Sequence, residues 1–183
     1  MEIISIVPEQ PQTEQSPEPI IPDHLQIAQS YIGTVDNGDN TGTTVNQFLS
    51  SVGLNPGYPW CAAFVSFCLD QPTDPAVIAP EMRSALASDF ISRKSIKASH
   101  VITGIRKPKP GYLAIYRRGN GIFGHIAMVE HWDQKCGQII AGNTSPPDGS
   151  GSEYDGGGVW SKERCIHPGN YFRIVSFTPV VYS

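Results

Sequence analysis

The stretch that decides the fold is residues 58–69, YPWCAAFVSFCL, an almost wholly apolar run with turn-forming residues on both sides. Pro56 and Gly57 precede it, and Pro72 follows it. Proline is tolerated near a helix start and ends a helix, so these residues predict one short helix over roughly 60–70. A helix that is apolar on all sides cannot face solvent, so we expect it to run through the interior of the domain.

Cys61 falls in the first turn of this predicted helix. The unpaired N–H groups and the positive end of the helix dipole favour a thiolate there, which makes Cys61 a candidate nucleophile. The alternative is that Cys61 is a core residue, because free cysteines are among the most buried residue types. We interpret Cys68, two turns deeper in the same helix, as a packing residue.

Composition limits the classes of function. The chain has 183 residues, of which 39% are hydrophobic and 16% charged, and this fits one globular domain with a tail. A formal net charge of −4 argues against nucleic acid as a partner. No stretch approaches 18 consecutive apolar residues, so the sequence predicts no membrane span. We expect a monomer.

The chain divides into a tail, residues 1–22, and a domain, residues 23–183. Residues 8–22 contain five prolines and three glutamates, which favours a disordered tail or linker. Residues 1–6 lack the basic region and cleavage site of a secretory signal, so the sequence leaves the localisation open.

Helices are predicted on both sides of the central one. Asp23 precedes a helical pattern that ends at Gly33, and a second helix is predicted over 44–52. Residues 80–94 read as an amphipathic surface helix and residues 95–109 as a charged loop. His24 is interpreted as a solvated residue.

The second half of the chain has the period of strands. Strands are predicted at 112–116, 125–132, 138–143 and 171–181, separated by turns and by a polar loop at 144–158. Helices followed by an antiparallel meander predict an α+β fold in which the central helix packs on the sheet.

His125 and Asn143 are candidate partners for Cys61. If residues 133–137 close a hairpin, Asn143 lies almost directly opposite His125. Asn143 would then fix the tautomer of the imidazole, whose other nitrogen faces the thiol. Glu130 points to the other face of the strand, and His131 lies near the far end of the hairpin.

The quoted residues resemble a known family. PWCAAFV at 59–65, Pro110-Gly111 before a strand, GHIAMV at 124–129 and Gly142-Asn143 resemble the CHAP group of cysteine, histidine-dependent amidohydrolases and peptidases. These proteins are related to NlpC-type cell-wall hydrolases of the papain-like clan. The resemblance implies a papain-like fold with Cys61 as nucleophile, His125 as general base and Asn143 as the third member of the triad.

The resemblance also implies the substrate, which is peptidoglycan. The bond cut is either the amide between sugar and stem peptide or a bond within the peptide. Trp60 and Tyr58 are candidate substrate-binding residues, with core packing the alternative for Trp60. Related domains often carry Asp where this chain has Tyr112, and an acidic residue where it has Ala141.

Two other functions stay open. One is a papain-like acyl transferase that uses the same thioester with an amine acceptor, and the other is a non-catalytic wall-binding module. We expect no cofactor and no zinc, because zinc-ligand spacings are absent from the sequence. Residues 36–42 weakly resemble a calcium loop, and turns are the simpler interpretation. Whether Cys136 and Cys165 pair is also open.

Overall fold

The described part of the chain forms four α-helices and six strands. The computed structural model describes residues 20–71, 82–150 and 156–182. The helices are α1 (Asp23–Ser30), α2 (Thr43–Ser51), α3 (Cys61–Leu69) and α4 (Ala98–Ile102), with a 3₁₀ turn at Ala87–Phe90. The strands are β1 (Ile96–Lys97), β2 (Leu113–Arg118), β3 (Gly124–Asp133), β4 (Cys136–Thr144), β5 (Gly158–Cys165) and β6 (Phe172–Thr178).

The six strands form one antiparallel sheet in the order β1-β6-β2-β3-β4-β5. Strands β2 to β5 follow one another as a meander, and β6 returns to pair with the free side of β2. The predicted α+β fold, with the helix of Cys61 on an antiparallel sheet, is confirmed. Two strands are absent from the prediction, because no element is predicted over 159–170, where most of β5 lies, and β1 lies in the predicted charged loop.

Helix α3 is the centre of the main core. Every side chain from Ala62 to Leu69 is buried, and the helix packs on β3 and β4 on one side and on α1 and α2 on another. Phe48 of α2 is fully buried and makes edge contacts with Phe64 and Phe67 of α3. The apolar run that predicted a buried helix therefore forms one.

A second, smaller core covers the other face of the sheet. There α4 contributes Ala98 and Val101, which belong to one apolar cluster with Trp132 and Phe177. The rings of Trp132 and Phe177 meet edge to face, with centroids 4.7 Å apart. The sheet is thus buried on both faces, although its strands are antiparallel.

Residues 80–109 differ most from the prediction. The predicted helix at 80–94 is wrong where the structure describes it, since residues 82–94 contain only the 3₁₀ turn Ala87–Phe90; its first two residues lie outside the described part. The expected loop at 95–109 contains β1 and α4. Met82, Leu86 and Phe90 have the spacing of one face of a helix. The Ser66 hydroxyl, however, donates to the Ser84 carbonyl oxygen and accepts from the Ser84 N–H, and these hydrogen bonds hold Ser84 in a non-helical conformation.

His24 is buried, and its predicted solvation is wrong. The side chain is 1% exposed, with Nδ1 2.7 Å from the Tyr182 hydroxyl and Nε2 2.7 Å from the Gly111 carbonyl oxygen. Burial lowers the pKa of His24, which favours a neutral ring that donates to Gly111 and accepts from Tyr182. No local pattern could reveal these partners, which lie 87 and 158 positions away.

Cys136 and Cys165 form a disulfide between β4 and β5. They are register partners at the hairpin end of β4, with Cα atoms 4.0 Å apart. The structure thus answers a question that the sequence left open. Cys165 lies on β5, so without a prediction of β5 the sequence could not place it opposite Cys136.

The boundaries of the domain stay a prediction. Helix α1 begins at Asp23, but residues 1–19 of the predicted tail lie outside the described residues. Among the described residues, no helix is long and apolar enough to cross a membrane.

Candidate active site

Cys61 is the first residue of α3 and lies where the helix meets a gap in the sheet. Backbone N–H groups of Ile126, Ala62 and Cys61 itself act on the thiol and lower its pKa. The N–H of Ile126 points away from β2, because alternate residues of a strand direct their N–H groups to opposite sides. The ladder between β3 and β4 begins beyond it, at Met128 and Ile140, so this donor faces the thiol.

Burial works against ionisation of the Cys61 thiol. Burial raises the pKa of the Cys61 thiol to about 11, and this outweighs the backbone N–H groups, which lower it. Burial of the sulfur therefore opposes the preference for a thiolate that the helix start is expected to give. Any attack by this sulfur requires a base that takes its proton.

His125 lies near the start of β3, on the face of the sheet opposite to the one that α3 covers. Its side chain is on the face of Ala127, whereas α3 packs on the face of Ile126 and Met128. The β3–β4 ladder ends at Met128 and Ile140, so the two strands are not paired beyond these residues and leave a gap in the sheet. Side chains from both faces of the sheet can reach this gap. A side chain from each face can therefore line one cavity.

Aromatic rings hold the imidazole of His125. The ring of Tyr116, its register partner on β2, meets it edge to face with centroids 5.4 Å apart. Phe172 of β6 stacks on Tyr116 at 5.2 Å and lies 6.3 Å from the imidazole. His125 itself is 9% exposed, so it is packed on its flanks and open at one edge.

Asn143 ends the regular part of β4. Continuing the register by three residues from the Met128–Ile140 pair would place it opposite His125, as the sequence predicted. Its φ is +54°, a left-handed conformation that asparagine tolerates better than most residues. When its amide is oriented to suit its neighbours, the Asn143 side-chain oxygen accepts from the backbone N–H of Trp60 at 3.0 Å. Its side-chain nitrogen donates to the Gly156 carbonyl oxygen at 2.9 Å.

The three predicted residues line one small cavity of about 40 Å³. Its lining consists of Pro59, Cys61, Arg118, Gly124, His125, Asn143 and Phe172. A thiol and an imidazole that face one solvent-accessible cavity are the groups needed for acyl transfer through a thioester.

The two predicted substrate-binding residues have different environments. Trp60 is fully buried, its ring packs against Phe48 and Phe64, and its Nε1 donates to Asp36 at 3.4 Å. A side chain in this position cannot line a groove, so the packing interpretation of Trp60 is the one that the structure favours. Tyr58 is 53% exposed, two residues before the helix, and stays a candidate for substrate contact.

The loop at 36–42 forms turns held by its own polar side chains. Asp36 accepts from the Gly38 N–H at 2.7 Å, and Thr41 bonds to both Asn37 and Asp39. Within the described residues, no group of three or more His, Cys, Asp or Glu side chains could hold a metal ion. The loop instead supports the site, since Asp36 holds the Trp60 ring.

Glu130 and His131, which the sequence set aside, lie outside the cavity. Glu130 accepts from Gln29 at 3.1 Å and from Ser161, and His131 is exposed near the hairpin end. The sequence missed Arg118 and Phe172, which do line the cavity. Arg118 was assigned to a turn, and only the full extent of β2 would have placed it beside His125.

A cysteine at the start of a buried helix, facing a histidine of an antiparallel sheet, is the arrangement of papain-like domains. Residues 53–143 match the family model of the CHAP domain, a range that begins before Tyr58 and ends at Asn143. The chain therefore contains a CHAP domain, which confirms the resemblance found in the sequence. This family is one of cell-wall hydrolases and peptidases, so the chain is assigned to the hydrolases. Comparisons with curated proteins and with solved structures found no significant match.

Proposed function

We propose that this protein is a cysteine-dependent peptidoglycan hydrolase, either an N-acetylmuramoyl-L-alanine amidase or an endopeptidase. The observation that carries the proposal is the cavity that Cys61 and His125 share within the CHAP match. The family supplies the substrate class, and the thiol and imidazole supply the chemistry.

The reaction begins with proton transfer, because the Cys61 thiol has a pKa of about 11. His125 takes the proton as the sulfur attacks the carbonyl carbon of the scissile amide. The backbone N–H of Ile126, which lowers the pKa of the thiol, favours the negative charge that forms on the sulfur. No thiolate has to persist in the resting enzyme, because deprotonation and attack occur together.

The tetrahedral intermediate then collapses to a thioester. The backbone N–H of Cys61 at the helix start stabilises the oxyanion. His125 returns the proton to the leaving amine, and the C–N bond breaks. A water molecule, deprotonated by His125, attacks the thioester, which releases the carboxylic acid and restores the thiol.

Asn143 is proposed to orient His125. Its Oδ1 accepts from the Trp60 backbone N–H at 3.0 Å and lies 3.3 Å from the side-chain amide of Asn40, so an imidazole N–H would share or replace the Asn40 contact. The same oxygen would thus fix the backbone before Cys61 and the tautomer of His125. Asn143→Asp keeps an acceptor for both groups, whereas Asn143→Ala removes it, so we expect the aspartate variant to retain more activity.

The experiment is mass spectrometry of the fragments released from purified peptidoglycan by the wild type and by Cys61→Ser. We expect fragments from the wild type alone, and the new ends will identify the bond that is cut. Cys68→Ala is the matched control, since Cys68 is the other free cysteine of the described residues and is fully buried in the same helix. Equal release by the wild type and Cys61→Ser would refute the mechanism. A wild type that releases nothing would refute the substrate.

A further inference from the structure

Among the residues that the structure describes, Arg118 is the one permanently charged residue that lines the cavity of Cys61 and His125. The other lining groups are the neutral thiol, the imidazole, an amide, a proline, a glycine and a phenyl ring. A guanidinium stays charged at any pH at which the protein is folded. The cavity lining therefore includes a permanently charged group that the proposed mechanism does not use.

The backbone holds Arg118 in a defined place beside His125. Arg118 ends β2, two residues after Tyr116, so both side chains leave the same face of the strand. Tyr116 is the register partner of His125, which places Arg118 one step further toward the tip of the β2–β3 hairpin.

Backbone hydrogen bonds also hold the tip of the β2–β3 hairpin in place. The Arg118 N–H donates to the Phe123 carbonyl at 3.0 Å, and the Gly121 N–H donates to the Arg118 carbonyl at 3.2 Å. On the other side, the Gly119 N–H donates to the Tyr171 carbonyl at 2.7 Å. Although the Arg118 side chain is exposed, its base is therefore fixed on an ordered turn.

The size of the cavity decides where substrate groups can lie. A volume of about 40 Å³ is close to the share of one water molecule in the liquid, about 30 Å³. The reacting carbonyl fits there, but a whole neighbouring side chain does not. Groups next to the scissile amide must therefore lie at the mouth of the cavity, where the Arg118 guanidinium is.

We propose that Arg118 binds a carboxylate of the substrate next to the amide that Cys61 attacks, so that the enzyme selects anionic acyl donors. A guanidinium matches a carboxylate with two parallel hydrogen bonds, and such a pair fixes both position and orientation. The chain as a whole carries a formal charge of −4, so this preference must arise locally and not from the overall field. This inference rests on the proposed function, because it names the substrate class of the same site.

The test uses two synthetic stem-peptide substrates that differ only in a carboxylate or a carboxamide on the residue that donates the acyl group. For the wild type we expect kcat/KM to favour the carboxylate by about 10- to 100-fold, as charge-assisted hydrogen bonds do. Arg118→Gln should abolish this preference by raising KM for the carboxylate substrate, with the carboxamide substrate unaffected. Arg118→Lys should keep part of it, because it retains the charge without the planar fork.

Arg106→Gln is the matched control, since Arg106 is exposed in the loop after α4 and does not line the cavity. Binding of both peptides to the full-length Cys61→Ser protein, measured by calorimetry, separates the two proposals. A carboxylate preference that disappears in Cys61→Ser/Arg118→Gln supports the role of Arg118 even if no hydrolysis occurs. Equal affinity for both peptides, or a preference that survives Arg118→Gln, overturns it.

Discussion

Gly142 makes the link between the sheet and the nucleophile helix testable. It lies between Ala141 and Asn143 on β4, where the strand passes directly under the start of α3. A Cβ at this position would lie 2.6 Å from Cζ3 of Trp60 and 2.9 Å from Cβ and Cγ of Phe64. Gly142→Ala therefore forces apart the two elements that carry Asn143 and Cys61.

The size of the effect follows from these distances. Carbon atoms pack at about 3.5 to 4.0 Å, so the start of α3 must move by about 1 Å to admit the methyl group. Overpacking of this kind costs about 1 to 3 kcal/mol of unfolding free energy. For a chain of this size that lowers Tm by about 3 to 10 °C. A displacement of about 1 Å at a reacting group can lower turnover by about 100-fold.

The assay compares thermal unfolding and peptidoglycan hydrolysis for Gly142→Ala and for Gly169→Ala. Gly169 is the control because a Cβ there would meet nothing within 4 Å. We expect a lower Tm and strongly reduced turnover for Gly142→Ala alone. Trp60→Phe removes one of the close contacts, so it should cost less in the Gly142→Ala background than in the wild type. A Gly142→Ala protein with wild-type Tm and turnover would refute the reasoning.

Three further predictions concern the thiols and the buried histidine. The rate at which iodoacetamide alkylates Cys61, measured by intact mass, should be low at pH 7 and should rise up to about pH 11, because the pKa of the thiol is about 11. A rate that already reaches its plateau near pH 7 would contradict this. The unfolded state binds a proton on His24 more readily than the folded state, whose pKa is lowered, so stability should fall as pH drops below about 6.5, and urea unfolding should show a weaker pH dependence in His24→Gln. Replacing both Cys136 and Cys165 by serine, which opens a loop with a sequence separation of 29, should cost about 2 to 4 kcal/mol in urea unfolding while the folded enzyme keeps its turnover. An unchanged urea midpoint would show that the bridge contributes nothing.

The parts of the fold that depend on local pattern could be predicted from the sequence. Helix α3 follows from an apolar run between turn formers, and the β3–β4 hairpin follows from a turn at 134–135. Once the turn is fixed, the register places Asn143 within one residue of the position opposite His125, and a bulge between Val129 and His131 supplies the remaining shift; the observed ladder itself ends at Met128 and Ile140. These two elements supply the three residues of the candidate site.

The parts that depend on distant partners could not be predicted. Strand β5 contains the charged run Lys162, Glu163 and Arg164, which suggests a surface loop. Lys162 is nevertheless 5% exposed, because its ammonium donates to the carbonyl oxygen and the hydroxyl of Ser145. Phe172 is a similar case, since it lines the cavity only because β6 pairs with β2. In each case the decisive contact joins segments whose pairing leaves no local signal.

The contact between His24 and Tyr182 brings the two ends of the described domain together. Their rings lie 5.6 Å apart, so residues near 22 and 182 could be joined by a short linker without crossing the molecule. New ends could then be opened in the exposed loop at 104–107, far along the chain from Cys61 and His125. A circular permutant built in this way should keep its cavity, because such rearrangements are tolerated where termini are adjacent and the new break is exposed. The nucleophile helix would then lie in the last third of the reordered chain and the β2–β3 hairpin near its beginning.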